Sequence, residues 1–143
     1  MGKKRIIQKT DSTVDGVASS NKAVLPQKKL TDGQAHIQST YNNTVISITD
    51  QKGNLIMASS SGALGFRGAK KGTPYAAAKV SEFLGEKSKN IGIQRFSIFV
   101  KGVGSGREAA IRSFVSQGFD IDFIRDITPI PHNGPRSKKS RRV

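Results

Sequence analysis

Between Gln34 and Ser60 three runs rich in Ile, Val, Thr and Ser follow one another with only Asn42-Asn43 and Gln51-Lys52-Gly53 between them. β-Branched residues favour the pleated backbone, and in the middle run Ile46 and Ile48 alternate with Val45, Ser47 and Thr49. Asn and Gly tolerate the left-handed φ values of tight hairpins, so the gaps read as turns. The runs Gln34 to Tyr41, Thr44 to Asp50 and Asn54 to Ser60 are therefore predicted to form a three-stranded antiparallel meander. A meander buries one side of its sheet, and the rest of the chain must supply the covering layer.

That layer is visible downstream. Ser61 to Gly72 breaks all periodicity with Gly62, Gly65, Gly68 and Gly72, after which Thr73-Pro74 offers an N-cap and a first-turn proline. Ala76, Val80, Phe83 and Leu84 then form an apolar stripe at helical spacing, predicting a helix to about Lys89, with Asn90-Ile91-Gly92 ending it. Gln94 to Lys101 alternates Phe96, Ile98 and Val100 against Phe99, which predicts a strand covered on both sides. Arg107 to Gln117 repeats the helical stripe with Ile111, Phe114 and Val115, and Gly118 stands where a C-cap glycine belongs. Phe119 to Ile127 is the last strand, with Phe119, Ile121, Phe123 and Ile127 expected on one face. The order β-β-β-α-β-α-β predicts an α/β domain with a five-stranded mixed sheet, the later strands parallel.

Charge divides the chain differently. Of a net charge of +14 over 143 residues, residues 1–29 contribute +5 and residues 134–143 another +5, leaving +4 for the 104 residues between. The expected organisation is a basic N-terminal arm over 1–29, an α/β domain over 30–127 and an extended basic tail over 128–143. Arms too poor in large apolar residues to fold alone point to a polyanion that orders them. A membrane surface fits poorly, because Arg136, Lys138, Lys139, Arg141 and Arg142 are not interleaved with apolar residues at helical spacing. No apolar run reaches the ~18 residues of a membrane span, and no secretory h-region is present, so the expected location is cytoplasmic.

Several chemistries are excluded by composition. The chain has no Cys, which removes disulfides, thiolate metal sites and thiol nucleophiles, and its two His, His36 and His132, are too few for a metal cluster. Asp50, Asp120, Asp122 and Asp126 could suggest a metal-dependent nuclease, yet Asp50 and Asp126 fall at strand ends where solvated turn residues are usual. Nothing assembles a nucleophile with a base, and no cofactor is called for. Lys101-Gly102-Val103-Gly104-Ser105-Gly106-Arg107 lies between a strand and a helix but matches neither the dinucleotide fingerprint nor the P-loop. Its backbone amides, flanked by Lys101 and Arg107, suit a phosphate of any origin, while a tight turn needing Gly is an equal explanation.

Arg67, Lys70 and Lys71 sit in the glycine-rich loop with no acidic residue between Gln51 and Val80 to pair with them, so they are predicted anion ligands, and Phe66 is read as the loop's core anchor ahead of its alternative, a ring that stacks on a base. Two X-Pro steps in Thr128-Pro129-Ile130-Pro131 make a stiff extended lead for the tail, and Asn133-Gly134 is prone to attack by the glycine amide.

Taken together, Tyr41-Asn42-Asn43-Thr44, Gly65-Phe66-Arg67-Gly68, Thr73-Pro74-Tyr75-Ala76-Ala77, Val100-Lys101-Gly102, Gly106-Arg107-Glu108 and Asp126-Ile127-Thr128-Pro129-Ile130-Pro131-His132-Asn133-Gly134 closely resemble universal ribosomal protein number eleven of the small subunit, in its bacterial form. The resemblance runs collinearly from about Thr31 to Val143. It implies a ribonuclease-H-like architecture used without catalysis, and a structural role on the platform of the small subunit. The implied partners are small-subunit ribosomal RNA, messenger RNA near its exit path and the start-site pairing helix, protein eighteen and, less directly, proteins six, seven and twenty-one.

The implied RNA ligands are Asn42 and Asn43 at the hairpin tip, Arg67, Lys70, Lys71, Lys101, Arg107, His132, Asn133, Arg136, Lys138, Lys139, Arg141 and Arg142. Asn133 is also where some members of that family carry isoaspartate. The chain departs from the family in having Val103 and Ser105 where proline is frequent, and Ser137-Lys138 in place of a Pro-Pro step. The arm over 1–29 lies outside the resemblance. The competing readings are a ribonuclease-H-type metal-dependent nuclease and a free-standing nucleic-acid-binding regulator.

Overall fold

The computed structural model describes residues 30–140. The predicted arm over 1–29, together with Arg141 and Arg142, lies outside the described residues. Strands β1 (Asp32–Ser39), β2 (Thr44–Thr49) and β3 (Leu55–Ser60) are followed by a 3-10 turn (Gly68–Gly72), α1 (Pro74–Ile91), β4 (Arg95–Lys101), α2 (Gly106–Ser116) and β5 (Asp120–Asp126). The sheet order is β3-β2-β1-β4-β5. Its first three strands pair antiparallel, while β4 runs parallel to both β1 and β5. The predicted α/β class, element order and five-stranded mixed sheet all stand.

The core lies between the sheet and the two helices. Ala35, Ile37, Ile46, Ile48, Phe96, Ile98 and Val100 face Ala77, Val80, Leu84, Ala110 and Phe114, all at 2% exposure or less. Phe96 is its centre, with Phe114 at 5.3 Å and Phe119 at 4.9 Å between ring centroids. Helix α1 begins as its sequence implies: the Thr73 hydroxyl accepts from Ala76 N, Pro74 occupies the first turn, and Gly92 closes the helix at φ 102°.

Five details of the sequence reading are corrected. The first strand ends at Ser39 rather than Tyr41, because Thr40 N donates to the Asn43 carbonyl at 2.9 Å and closes the hairpin there. Phe83 leaves the α1 stripe and stands exposed under the Lys87 ammonium, 4.1 Å from its ring centroid, and Ser81, Gly85 and Ser88 take the buried positions instead. In α2 the buried positions are Gly106, Ala110, Ser113 and Phe114, with Ile111 partly buried against the core and Val115 exposed, since packing against α1 turns the buried row away from Val115. A register shift sets Phe96 opposite Ile121 but Ser97 opposite Phe123. Asp122 is thereby bulged out and Phe123 turns to the face opposite Ile121. Finally, β4 is covered on one side only, because the core-forming helices share a single face.

Candidate nucleic-acid interface

Parallel pairing of β4 with β1, and antiparallel pairing through β2 to β3, bring the ends of β1, β3, β4 and β5 and the start of β2 to one edge of the sheet. Three segments meet there: the hairpin tip Thr40 to Asn43, the loop from Ser61 to Thr73, and the glycine loop Gly102 to Ser105. They are fastened to one another rather than merely adjacent.

Ser61, fully buried at the end of β3, is the main fastening. Its hydroxyl accepts from Thr44 N at 3.1 Å, donates to the Lys71 carbonyl at 2.7 Å and lies 2.8 Å from Asn43 Oδ1. A hydroxyl has one proton to donate, so turning the Asn43 carboxamide to offer its N–H would satisfy the whole set. The Ser105 hydroxyl donates to the Gly72 carbonyl at 3.0 Å, and Gly104 N donates to the Ser39 carbonyl at 3.0 Å. Close approach demands glycine here: a Cβ on Gly72 would stand 2.1 Å from the Tyr41 carbonyl oxygen, one on Gly102 2.1 Å from that of Ser39, and one on Gly104 2.3 Å from that of Thr40.

On this stitched base the exposed side chains of Arg67 and Lys70, the partly exposed Lys71 and the exposed Lys101 pair with no carboxylate among the described residues. Asn42 is exposed at the tip, whereas the Asn43 side chain is engaged at Ser61. Phe66 is half-buried and meets Tyr75 edge-on at 6.1 Å, and the loop's contact with the core is made by Leu64 instead. The aromatic-anchor expectation for Phe66 is thus corrected to Leu64, one of the partly buried residues against the core.

Arg107 is held differently. Its Nη1 donates to the Gly102 carbonyl at 2.5 Å and its Nη2 pairs with the Asp126 carboxylate. Asp126 also accepts from Thr128 N at 2.9 Å and from the Thr128 hydroxyl, which in turn accepts from Gly102 N at 3.0 Å. The Thr128 hydroxyl first, then Arg107, push the Asp126 carboxyl down from 3.8 to about 2. Asp126 is therefore an ion-paired clamp, a correction to its reading as a solvated turn residue. Asp50 does cap its own turn, accepting from Lys52 N and Asn54 N at 2.8 Å each. The two carboxylates stand at opposite ends of the sheet, at the ends of antiparallel-running β2 and β5, so they cannot share a metal ion.

His132, Asn133, Arg136, Lys138 and Lys139 follow the clamp as an exposed extension, and Asn133 takes φ 55°, a left-handed value that Asn tolerates. Sequence reading missed Ser61, Ser105 and the Arg107–Asp126 pair. Their partners lie 10 to 33 residues away, and no local spacing announces such contacts.

An α/β domain that gathers unpaired cations on glycine-rich loops at one sheet edge, with a cationic extension leaving that edge, is by class a nucleic-acid-binding protein. The sequence model of the family described as Ribosomal protein S11 matches residues 33–142, and the chain belongs to that family. It is accordingly a structural, ribosomal-RNA-binding protein of the small ribosomal subunit. No helix among the described residues is long and apolar enough to cross a membrane.

Proposed function

We propose that the chain holds ribosomal RNA on the platform of the small subunit, with its stitched loop edge and basic tail laid against closely packed phosphates. Asn42, Arg67, Lys70, Lys71, Lys101 and the tail cations Arg136, Lys138, Lys139, Arg141 and Arg142 make the contacts, with His132 and Asn133 beside them. Arg107 contributes chiefly by fixing where the tail departs, and Asn43 by fixing the tip. The tail reaches toward the messenger RNA exit path and the start-site pairing helix. Protein eighteen is the principal protein neighbour, with six, seven and twenty-one more distant. The arm over 1–29 and the tail over 128–143 act as extensions of the 30–127 domain that RNA orders, and Asn133-Gly134 is a site of isoaspartate formation. The protein works in the cytoplasm and performs no catalysis.

The observation carrying this reading is the convergence of cations without carboxylate partners on loops locked by Ser61, Ser105 and Gly104. Rigid placement lowers the ordering cost of binding, and phosphate neutralisation supplies the affinity. A sucrose gradient of lysate probed for this chain tests it. Co-migration with the small subunit at moderate salt is expected, and absence from that peak overturns the reading.

A further inference from the structure

The sheet face turned away from α1 and α2 is in register across all five strands. Ala58, Ser47, His36, Phe99 and Arg125 form one row, and Ser60, Val45, Gln38 and Lys101 form the next. The His36 and Phe99 rings are 5.0 Å apart at an interplanar angle of 11°. That separation matches the strand spacing of about 4.8 Å, so the rings stand side by side, faces opposed, like fins across the strands. Phe123 meets Phe99 edge-on at 5.5 Å, and the Arg125 guanidinium lies 5.6 Å from the Phe123 ring centroid.

On its other side His36 looks over Ser47 and Ala58, whose side chains are too short to cover an imidazole. The result is a shelf walled by one ring face. The Thr49 hydroxyl, 3.4 Å from His36 Nε2, fixes the ring's rotation, and burial lowers the His36 pKa. Lys101 and Arg125 share this face and pair with no carboxylate among the described residues. The shelf side of these rows otherwise carries Ser47, Ser60, Gln38 and a single small aliphatic, the part-buried Val45, rather than the large aliphatics that a protein partner would bury.

We propose that this open face is a base-stacking site for single-stranded RNA, with one base on the Ser47–Ala58 shelf against the outer face of His36 and neighbouring phosphates at Lys101 and Arg125. The inference rests on the chain's reading as an RNA binder but adds the open sheet face, which adjoins the loop edge at Lys101. Ring stacking is sequence-tolerant and non-ionic, complementing the salt-sensitive loop edge.

The test uses the full-length protein and purified small-subunit ribosomal RNA, with affinities measured over a series of salt concentrations and the thermal unfolding of each variant recorded. His36→Ser is expected to weaken binding by about tenfold without changing the slope of log affinity against log salt. His36→Phe, which restores a ring but not the contact to Thr49, is expected to recover the affinity. Ala58→Leu fills the shelf without touching His36 and is expected to weaken binding comparably, which decides the matter if His36→Ser unfolds. Wild-type affinity in Ala58→Leu overturns the proposal, as does His36→Phe as weak as His36→Ser. Unchanged RNA affinity with loss of these variants from the small-subunit peak also overturns it, and assigns the face to a protein. Failure of the wild-type chain to bind this RNA at all would instead count against the broader reading.

Discussion

The Arg107 guanidinium bridges the Gly102 carbonyl and the Asp126 carboxylate, tying the start of α2 to the end of β5 across the glycine loop. A cation that sequence assigns to phosphate is thereby largely spent within the domain, and the path of the tail is set by an internal ion pair.

This pair gives a pH dependence. The Asp126 carboxyl is held at about 2 against an ordinary value of 3.8, so the folded state favours the ionised form. Its stabilisation is therefore complete above the ordinary value and is lost as pH falls through the folded one. Thermal unfolding of the wild type and of Asp126→Asn should differ at neutral pH and converge as the pH is lowered from about 4 to about 2. A difference that persists unchanged to the acid end of that window would contradict the clamp.

The same pairing separates Arg107 from the loop cations. Arg67→Gln should reduce the slope of log affinity against log salt by about one phosphate's worth, and Arg107→Gln by clearly less. Equal reductions would show that RNA draws Arg107 away from Asp126.

Removal of the Ser61 hydroxyl should be felt by the fold itself. Ser61→Ala leaves Thr44 N and the Lys71 carbonyl without their buried partner. A loss of about 2 kcal/mol is expected in denaturant unfolding. Gly72→Ala should cost about 3 kcal/mol, because the added Cβ meets the Tyr41 carbonyl rather than a movable side chain.

Deletion of residues 136–143 should leave thermal unfolding nearly unchanged. Beyond Thr128 the described residues make no hydrogen bond to the domain. RNA affinity should nevertheless fall. If the intact chain engages about six to eight phosphates, its affinity should drop by roughly 10³ to 10⁴ between 50 and 200 mM salt, and the shortened chain should show a shallower dependence.

Much of the fold was legible because its signals are local. The Lys52-Gly53 turn, the Thr73-Pro74 start and the Gly92 and Gly118 stops each depend on a few consecutive residues, and the structure bears them out; the Asn42-Asn43 turn forms where expected, but neither Asn takes the left-handed φ on which it was argued. Phe83 and Phe123 were misjudged for a different reason. An exposed cation covers one ring, and a bulge opposite Phe96–Ser97 turns the other over. Periodicity cannot anticipate a register shift dictated by the neighbouring strand.

The candidate site divides in the same way. That Arg67, Lys70, Lys71 and the described tail cations lack a carboxylate partner was readable, because the sequence around them holds no compensating acid. The engagement of Arg107 and Asn43, the fastening at Ser61 and the ladder from His36 to Arg125 were not readable.

By itself, then, the sequence determined the α/β class, the order of elements and the segregation of charge into the termini and two loops, since these follow from turn chemistry, period and composition over short windows. Only the tertiary structure decided which cations stay unpaired, how three loops become one edge and which sheet face stays open. Those outcomes depend on contacts between residues distant in the chain, brought together when β4 packs beside β1 and both helices settle on a single side.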